Sequence, residues 1–143
     1  MRFLTQFVAI CFLSIASVTP GLAQAPTGNI KLELNRLEPM QDGGCRLSIV
    51  AQNGLERPIN NLGLEVVFFD ADGLIEQFLR LQFSRISAGK TRVLFFDLAG
   101  KSCDSLSRLH INDVTNCVPA SITDVYCPDL LALENRTAIQ FGD

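Results

Sequence analysis

The chain has 143 residues, with 12 Lys and Arg against 15 Asp and Glu and a formal net charge of −3. This length accommodates one domain, and a hydrophobic content of 48% is sufficient for a buried core. The basic residues are scattered along the chain rather than clustered, which argues against a nucleic-acid-binding protein.

The N-terminus has the order of segments found in a secretory signal peptide. Arg2 precedes an apolar run from Phe7 to Val18, and small residues follow at Ala23 and Ala25. The run has about 12 residues, against the roughly 20 that span a bilayer, so it is too short for a membrane anchor. We therefore expect an exported protein that has no stable membrane anchor once the signal is removed.

Two cleavage positions are compatible with the small residues. Cleavage after Ala25 would place Pro26 just past the scissile bond, where its fixed φ and missing N–H suit an extended protease cleft poorly. Cleavage after Ala23 is therefore preferred, giving a signal peptide over 1–23 and a single mature domain over 24–143. No Arg-Arg pair precedes the apolar run, which favours the general secretion route into the periplasm over the twin-arginine route.

The first two strands are predicted from a period of two. Leu32 and Leu34 alternate with polar residues from Ile30 onward, and a Gly-containing turn follows at 41–44. From Cys45 to residue 52 the alternation is the clearest in the chain, and Asn53-Gly54 then ends the strand.

Three further strands are predicted over 62–70, 74–83 and 91–98. Asp70-Ala71-Asp72-Gly73 indicates a hairpin turn after the first of them, and a turn at 87–90 follows the second. In the strand over 62–70, even-numbered residues would face the core and odd-numbered residues would face outward.

A sixth strand is predicted over 106–113 and a seventh over 131–141. A helix starting after Pro128-Asp129 is the alternative for the last segment. About seven short strands separated by Gly, Asn, Asp and Pro turns indicate an all-β protein, an immunoglobulin-like antiparallel β-sandwich.

Four cysteines remain after Cys11 is removed with the signal: Cys45, Cys103, Cys117 and Cys127. An even number in an exported chain predicts two disulfides, and their wide spacing lacks the close pairs of zinc sites. With an up-and-down strand order, Cys45 and Cys103 lie at one end of the sandwich, and Cys117 and Cys127 at the other, about 23 Å away. The predicted pairs are therefore Cys45–Cys103, stapling the two sheets, and Cys117–Cys127.

Residues 47–98 resemble the immunoglobulin-like modules called FxLYD domains. The residues that carry the resemblance are Asn53, Phe68-Phe69-Asp70, Asp72-Gly73 and Ala88-Gly89. The resemblance implies a fold rather than an activity.

The whole layout also resembles small exported bacterial proteins catalogued as Tat pathway signal sequence domain proteins. Matching segments are residues 32–38 (LELNRLE), 43–46 (GGCR) and 111–113 (IND), together with the turn at 69–73 and the later cysteines. The absent twin-arginine pair departs from that name. This resemblance also implies no activity.

Residues that could carry chemistry are few. His110 is the only histidine and lies in a predicted strand, without a nucleophile-elbow glycine pattern. Asp70 and Asp72 resemble the start of a calcium loop, but Leu74 and Leu81 occupy later ligand positions, so we interpret them as turn formers. We predict no catalytic site, no metal site and no cofactor.

Asn135-Arg136-Thr137 is a glycosylation sequon that matters only in a eukaryotic host.

Two double phenylalanines suggest an interaction surface. Because side chains alternate along a strand, Phe68-Phe69 and Phe95-Phe96 cannot all face one core. We predict that Phe69 or Phe95 is substantially exposed, and that Val67 and Val93, which share their parities, extend the patches. The alternative is that a loop or a neighbouring strand covers them.

These features favour a non-catalytic periplasmic interaction or structural module whose partner is another envelope protein. The alternative is a periplasmic protein that binds a small ligand or a metal ion through loops at one end of the sandwich.

The first test concerns export. Mass spectrometry of the exported protein is expected to give a mature N-terminus at Gln24 or Pro26. An intact Met1 species in the soluble cytoplasm would show that the chain is not exported.

Overall fold

The computed structural model describes residues 28–119 and 127–142. These residues form eight strands and two short 3-10 turns. The strands are β1 (Ile30–Pro39), β2 (Cys45–Asn53), β3 (Ile59–Asp70), β4 (Ile75–Phe83), β5 (Thr91–Leu98), β6 (Leu106–Pro119), β7 (Leu131–Asn135) and β8 (Gln140–Gly142). The predicted signal peptide at 1–23 and both cleavage positions lie outside the described residues.

The strands form two four-stranded sheets that pack against each other. Sheet A has the order β5-β2-β1-β7, and sheet B has the order β4-β3-β6-β8. The first two strands lie in sheet A and the next two in sheet B, after which the chain alternates between sheets. The predicted all-β, immunoglobulin-like sandwich is confirmed, with eight described strands rather than about seven.

The core lies between the sheets and takes every second residue from the longer strands. Pairing β1 with β2 places Leu32 opposite Ala51 and Leu34 opposite Ile49, with all four side chains buried. β3 contributes its even-numbered residues, as predicted from their alternation. The buried core side chains of β3 and its neighbour β4 are Ile59, Leu62, Leu64, Val66, Phe68, Leu81 and Phe83.

The predicted seventh strand over 131–141 is two strands in the structure, and the alternative helix is absent from its described residues. β7 pairs in parallel with β1 in sheet A, whereas β8 pairs in parallel with β6 in sheet B. Both segments face the same core: Ile139 is buried, and Leu131, Leu133 and Phe141 pack against the core. The hydrophobic alternation therefore continues across a change of sheet, which explains why the pattern predicted one strand.

Asn135 organises the turn between β7 and β8. Its Oδ1 accepts hydrogen bonds from the backbone N and from Oγ1 of Thr137, both at 2.9 Å. Its Nδ2 donates to the carbonyl oxygen of Ile139 at 2.6 Å. The sequon asparagine thus has a structural role in the fold.

The buried side chain of Asn53 joins two connections between the sheets. Its Nδ2 donates to the carbonyl of Arg57 at 2.7 Å and to the carbonyl of Ile86 at 3.0 Å. Its Oδ1 accepts from the backbone N of Leu55 at 3.0 Å. Arg57 and Leu55 belong to the β2–β3 connection and Ile86 to the β4–β5 connection, so one amide satisfies buried backbone groups of both.

The backbone of Asn53 reinforces this link. Its N–H donates to the carbonyl of Lys90, and its carbonyl accepts from the N–H of Gly89, both at 2.9 Å. Gly89 has a φ of 66°, a conformation that suits glycine. An isolated antiparallel bridge between Ile59 and Ile86 completes the junction of the two connections.

The two disulfides join Cys45 with Cys103 and Cys117 with Cys127, which are the predicted pairs. Their Cα atoms are 4.9 Å and 6.1 Å apart. Cys45 begins β2, and Cys103 lies in the 3-10 turn Cys103–Ser105 between β5 and β6. The first bond therefore attaches sheet A to a crossover between sheets, rather than to a strand of sheet B.

The two disulfides are expected to differ in their contribution to the free energy of unfolding. The bonds span 58 and 10 residues, so the loop-entropy model gives about 4 and about 3 kcal/mol. Urea unfolding of the Cys45→Ala/Cys103→Ala and Cys117→Ala/Cys127→Ala proteins checks this. The first variant should be the less stable, because burial of Cys45 adds a cavity to the lost cross-link. The opposite order would contradict the prediction.

Candidate interaction surface

The four residues predicted to form a surface lie on two different sheets. Val67 and Phe69 belong to β3 in sheet B, whereas Val93 and Phe95 belong to β5 at the edge of sheet A. They therefore form two separate surfaces.

Phe95 is 62% exposed and Val93 is 48% exposed. We call these two residues the β5 patch. Phe95 lies opposite Ser48 of β2, and Val93 lies opposite Val50. The predicted exposure of Phe95 is confirmed, whereas its role in a contact stays a prediction.

Val67 is only 2% exposed, so its predicted place on an accessible surface is corrected. Its parity assigns it to the outer face of sheet B, as expected, but its cross-strand neighbours there are large. Phe78 of β4 lies opposite on one side and His110 of β6 on the other. A small side chain between two bulky ones loses its solvent contact.

Phe69 is partly buried beneath a cation. The Arg108 Cζ atom lies 3.8 Å from the centroid of the Phe69 ring, the geometry of a cation–π contact. The His110 ring meets Phe69 edge-on, with 6.5 Å between centroids. Phe69 therefore lies beneath Arg108 on the outer face of sheet B and is only partly accessible to a partner.

Sequence reasoning missed three exposed apolar residues at the start of β4. Leu74 is 65% exposed, Ile75 is 58% exposed and Phe78 is 55% exposed. We call Leu74, Ile75 and Phe78 the β4 patch; Phe69, opposite Ile75 in the sheet, borders it. Phe78 could have been found from its parity, which it shares with Arg80 and Gln82 rather than with the buried Leu81 and Phe83.

Ile75 faces outward because the pairing of β3 with β4 contains a bulge. Phe69 pairs with Ile75, but the adjacent Phe68 pairs with Gln77, so β4 has one extra residue there. An extra residue reverses the parity of the positions before it. Ile75 consequently lies on the same face as Phe78, which strict alternation would not predict.

The turn that carries Leu74 is held by Asp70. Its Oδ1 accepts from the backbone N of Asp72 at 2.9 Å and of Leu74 at 2.8 Å. Gly73 takes a φ of 78°, so the turn-forming role predicted for these residues is confirmed. The β4 patch is therefore presented by a hydrogen-bonded hairpin rather than by a long loop.

His110, the histidine considered as a catalytic residue, lies in β6 of sheet B. It lies opposite Val67 and beside Phe69, neither of which can act as a nucleophile or a base. A shallow groove between β6 and β7, lined by residues 111–114, Pro128, Leu131 and Leu133, does not include it. Within residues 28–119 and 127–142, no three His, Cys, Asp or Glu side chains form a group that could hold a metal ion.

The outer face of sheet A carries ion pairs beside the β5 patch. Arg46 Nε and Nη2 donate to the two carboxylate oxygens of Asp97 at 2.6 Å and 2.7 Å. These hydrogen bonds lower the pKa of Asp97 and raise that of Arg46. The charged groups are satisfied within the sheet, which leaves the neighbouring Phe95 as the main apolar feature of this face.

Farther across sheet A, Glu33 is a nearly buried carboxylate. It accepts from Asn35 Nδ2 at 2.6 Å and from Arg136 Nε at 2.9 Å. The hydrogen bond from Asn35, followed by that from Arg136, lowers the pKa of Glu33 below its ordinary 4.5. These contacts attach the β7–β8 turn to β1.

Comparison with protein-family models, curated proteins and solved structures found no match to this chain. In the part of the chain that the structure describes, no helix has the length and apolar character needed to cross a bilayer.

Glu33 is expected to make stability depend on pH. Because folding lowers its pKa, its contribution is present at neutral pH and is lost as the pH falls through the folded-state pKa, below about 4.5. Glu33→Gln should therefore lower the free energy of unfolding at pH 7 by up to about 1 kcal/mol, with a difference that shrinks in acid.

Urea unfolding between pH 3 and pH 7 measures this, and the pH dependence of the difference should correspond to about one proton or less. The control is Glu38→Gln, which removes an exposed ion pair with Arg36. A Glu33→Gln deficit that stays constant through the acid range would contradict the prediction.

Proposed function

We propose that this protein is a non-catalytic interaction module of the bacterial periplasm, and that its partner is another envelope protein. The observation that carries the proposal is the β4 patch, where three large apolar side chains of one hairpin are exposed and two of them, Ile75 and Phe78, lie on the same face of the sheet. Isolated exposed apolar residues are ordinary, but adjacent ones on a well-formed element often mark a contact surface.

The surroundings of the β4 patch resemble those of protein–protein interfaces. Such interfaces combine an apolar centre, often aromatic, with a polar rim in which Arg is enriched. Here Phe78 and Ile75 would form the centre, and Arg80 and Arg108 lie on the same outer face. Arg80 approaches Glu65 at 3.7 Å, which leaves most of its guanidinium exposed to a partner.

The β4 patch is preferred over the β5 patch for its continuity. Its three exposed residues are bordered by Phe69, whereas the β5 patch has two exposed residues and adjoins the buried Ser48. A partner seated on β4 would therefore bury more contiguous apolar area, and the hydrophobic contribution to binding scales with that area.

The resemblance to FxLYD modules supports a fold, and we propose no binding role from it. The residues that carry it serve structural purposes: Asn53 joins two connections, Phe68 is in the core, Asp70 holds a turn, and Gly73 and Gly89 take positive φ. Export to an oxidising compartment, also part of the proposal, is supported by the signal-like N-terminus and the two disulfides.

The test compares two exposed phenylalanines on opposite outer faces. A photoreactive side chain placed at position 78, and separately at position 95, is cross-linked in living cells, and the attached protein is identified by mass spectrometry. Binding of the purified partner to Phe78→Ser and Phe95→Ser proteins is then measured. Phe78→Ser should weaken binding at least about tenfold, equivalent to about 1.4 kcal/mol, and Phe95→Ser should leave it unchanged.

Thermal unfolding provides the control for folding, since exposed substitutions of this kind are expected to change stability by about 0.5 kcal/mol or less. If Phe95→Ser alone abolishes binding, the partner contacts the β5 patch, and the proposed β4 surface is wrong. If neither position is cross-linked to an envelope protein, the interaction role itself is wrong.

A further inference from the structure

Asn53-Gly54 is the only Asn-Gly dipeptide in the chain. In this dipeptide the backbone nitrogen of glycine can attack the side-chain carbonyl carbon of asparagine, because glycine has no side chain to hinder the approach and its backbone is unusually flexible. A dipeptide that is prone to this reaction therefore occupies the residue that joins the two connections of the sandwich.

The fold requires both members of the dipeptide. Asn53 is needed for its two N–H donors and its acceptor, all of which are used inside the protein. Gly54 is needed for space, because a Cβ atom there would lie 2.7 Å from the carbonyl oxygen of Asn29. Substitution at either position would remove the chemical hazard but would disturb the junction.

The folded state opposes the reaction. The nitrogen of Gly54 donates its hydrogen to the carbonyl of Asn29 at 2.8 Å, so this bond must break before the nitrogen can give up that hydrogen and attack. The side chain of Asn53 is fixed by three hydrogen bonds and has no exposed surface. For the nitrogen to reach Cγ, these bonds would have to break together, which amounts to local unfolding of the junction.

We infer that Asn53 is a conditional modification site, protected in the native sandwich and deamidated when the junction opens. The Gly54 nitrogen forms a bond to Asn53 Cγ, the Cγ–Nδ2 bond breaks, and ammonia leaves with the proton that the nitrogen gives up. Water then adds to either carbonyl of the resulting cyclic imide. The product is aspartate or isoaspartate at position 53.

The modification prevents return to the same fold. A carboxylate has no N–H to donate, so the carbonyls of Arg57 and Ile86 would face a buried negative charge instead of two donors. Isoaspartate also lengthens the backbone by one carbon within a tightly bonded turn. A molecule that opens for long enough is therefore removed permanently from the folded population.

The experiment incubates the disulfide-bonded protein in mildly alkaline buffer, with and without denaturing urea, and follows Asn53 by peptide mapping. Conversion should be at least about tenfold slower in the native sample, because the reaction there requires an opening event. In the urea arm, Gly54→Ala should slow conversion severalfold, since steric access to Cγ no longer depends on the fold. Asn60, exposed and followed by Asn61, is the internal comparison and should convert slowly in both samples.

After removal of urea, the unconverted fraction should refold and the converted fraction should not. The Asn53→Asp protein, which carries one of the two products, should likewise fail to refold, and its recovery of the wild-type fold would overturn the proposal. Equal conversion rates in the native and urea samples would overturn the protection. Refolding of converted chains to the wild-type melting temperature would overturn the claim that modification irreversibly prevents folding.

Discussion

The amide of Asn53 is the constraint on which the arrangement of the sandwich depends. The two connections that it joins carry the chain from β2 to β3 and from β4 to β5, so both cross from one sheet to the other. Its Nδ2 donates to the carbonyl of Arg57 in one connection, and in the other to the carbonyl of Ile86, which also accepts from the N–H of Ile59. Among short side chains, asparagine alone supplies two donors and one acceptor at the same time, whereas serine has one donor and aspartate has none when ionised.

Much of the fold could be predicted from the sequence, because its strands are half-buried and separated by turns with a clear chemical signature. The alternation of Leu32, Leu34 and the residues of β2 reports directly which face meets the core. The disulfide pairs followed from the expected up-and-down order of the strands, which placed Cys45 and Cys103 at one end of the sandwich and Cys117 and Cys127 at the other. The turn at Asn135 escaped prediction, since an alternating pattern records that side chains face the core and does not record which sheet they belong to.

The candidate surface was harder to predict because exposure depends on neighbours from other strands. Val67 and Phe95 both have outward parity, yet Val67 is covered by residues distant in sequence, while Phe95 on an edge strand has fewer neighbours to cover it. Ile75 became exposed through a bulge, which is a property of a pair of strands rather than of one. The pattern along one strand predicts which face of the sheet a side chain occupies. Whether that side chain is accessible to solvent depends on its neighbours in the assembled sheets.

The two disulfides follow one another along the chain without nesting or crossing, since the first closes at Cys103 before the second opens at Cys117. Neither bond has to wait for the other, and neither encloses a segment that the other must thread. In a chain that emerges N-terminus first, Cys45 and Cys103 are available before Cys117 and Cys127 have appeared. The native connectivity is then also the one favoured by order of emergence, so a correct first bond requires no later exchange.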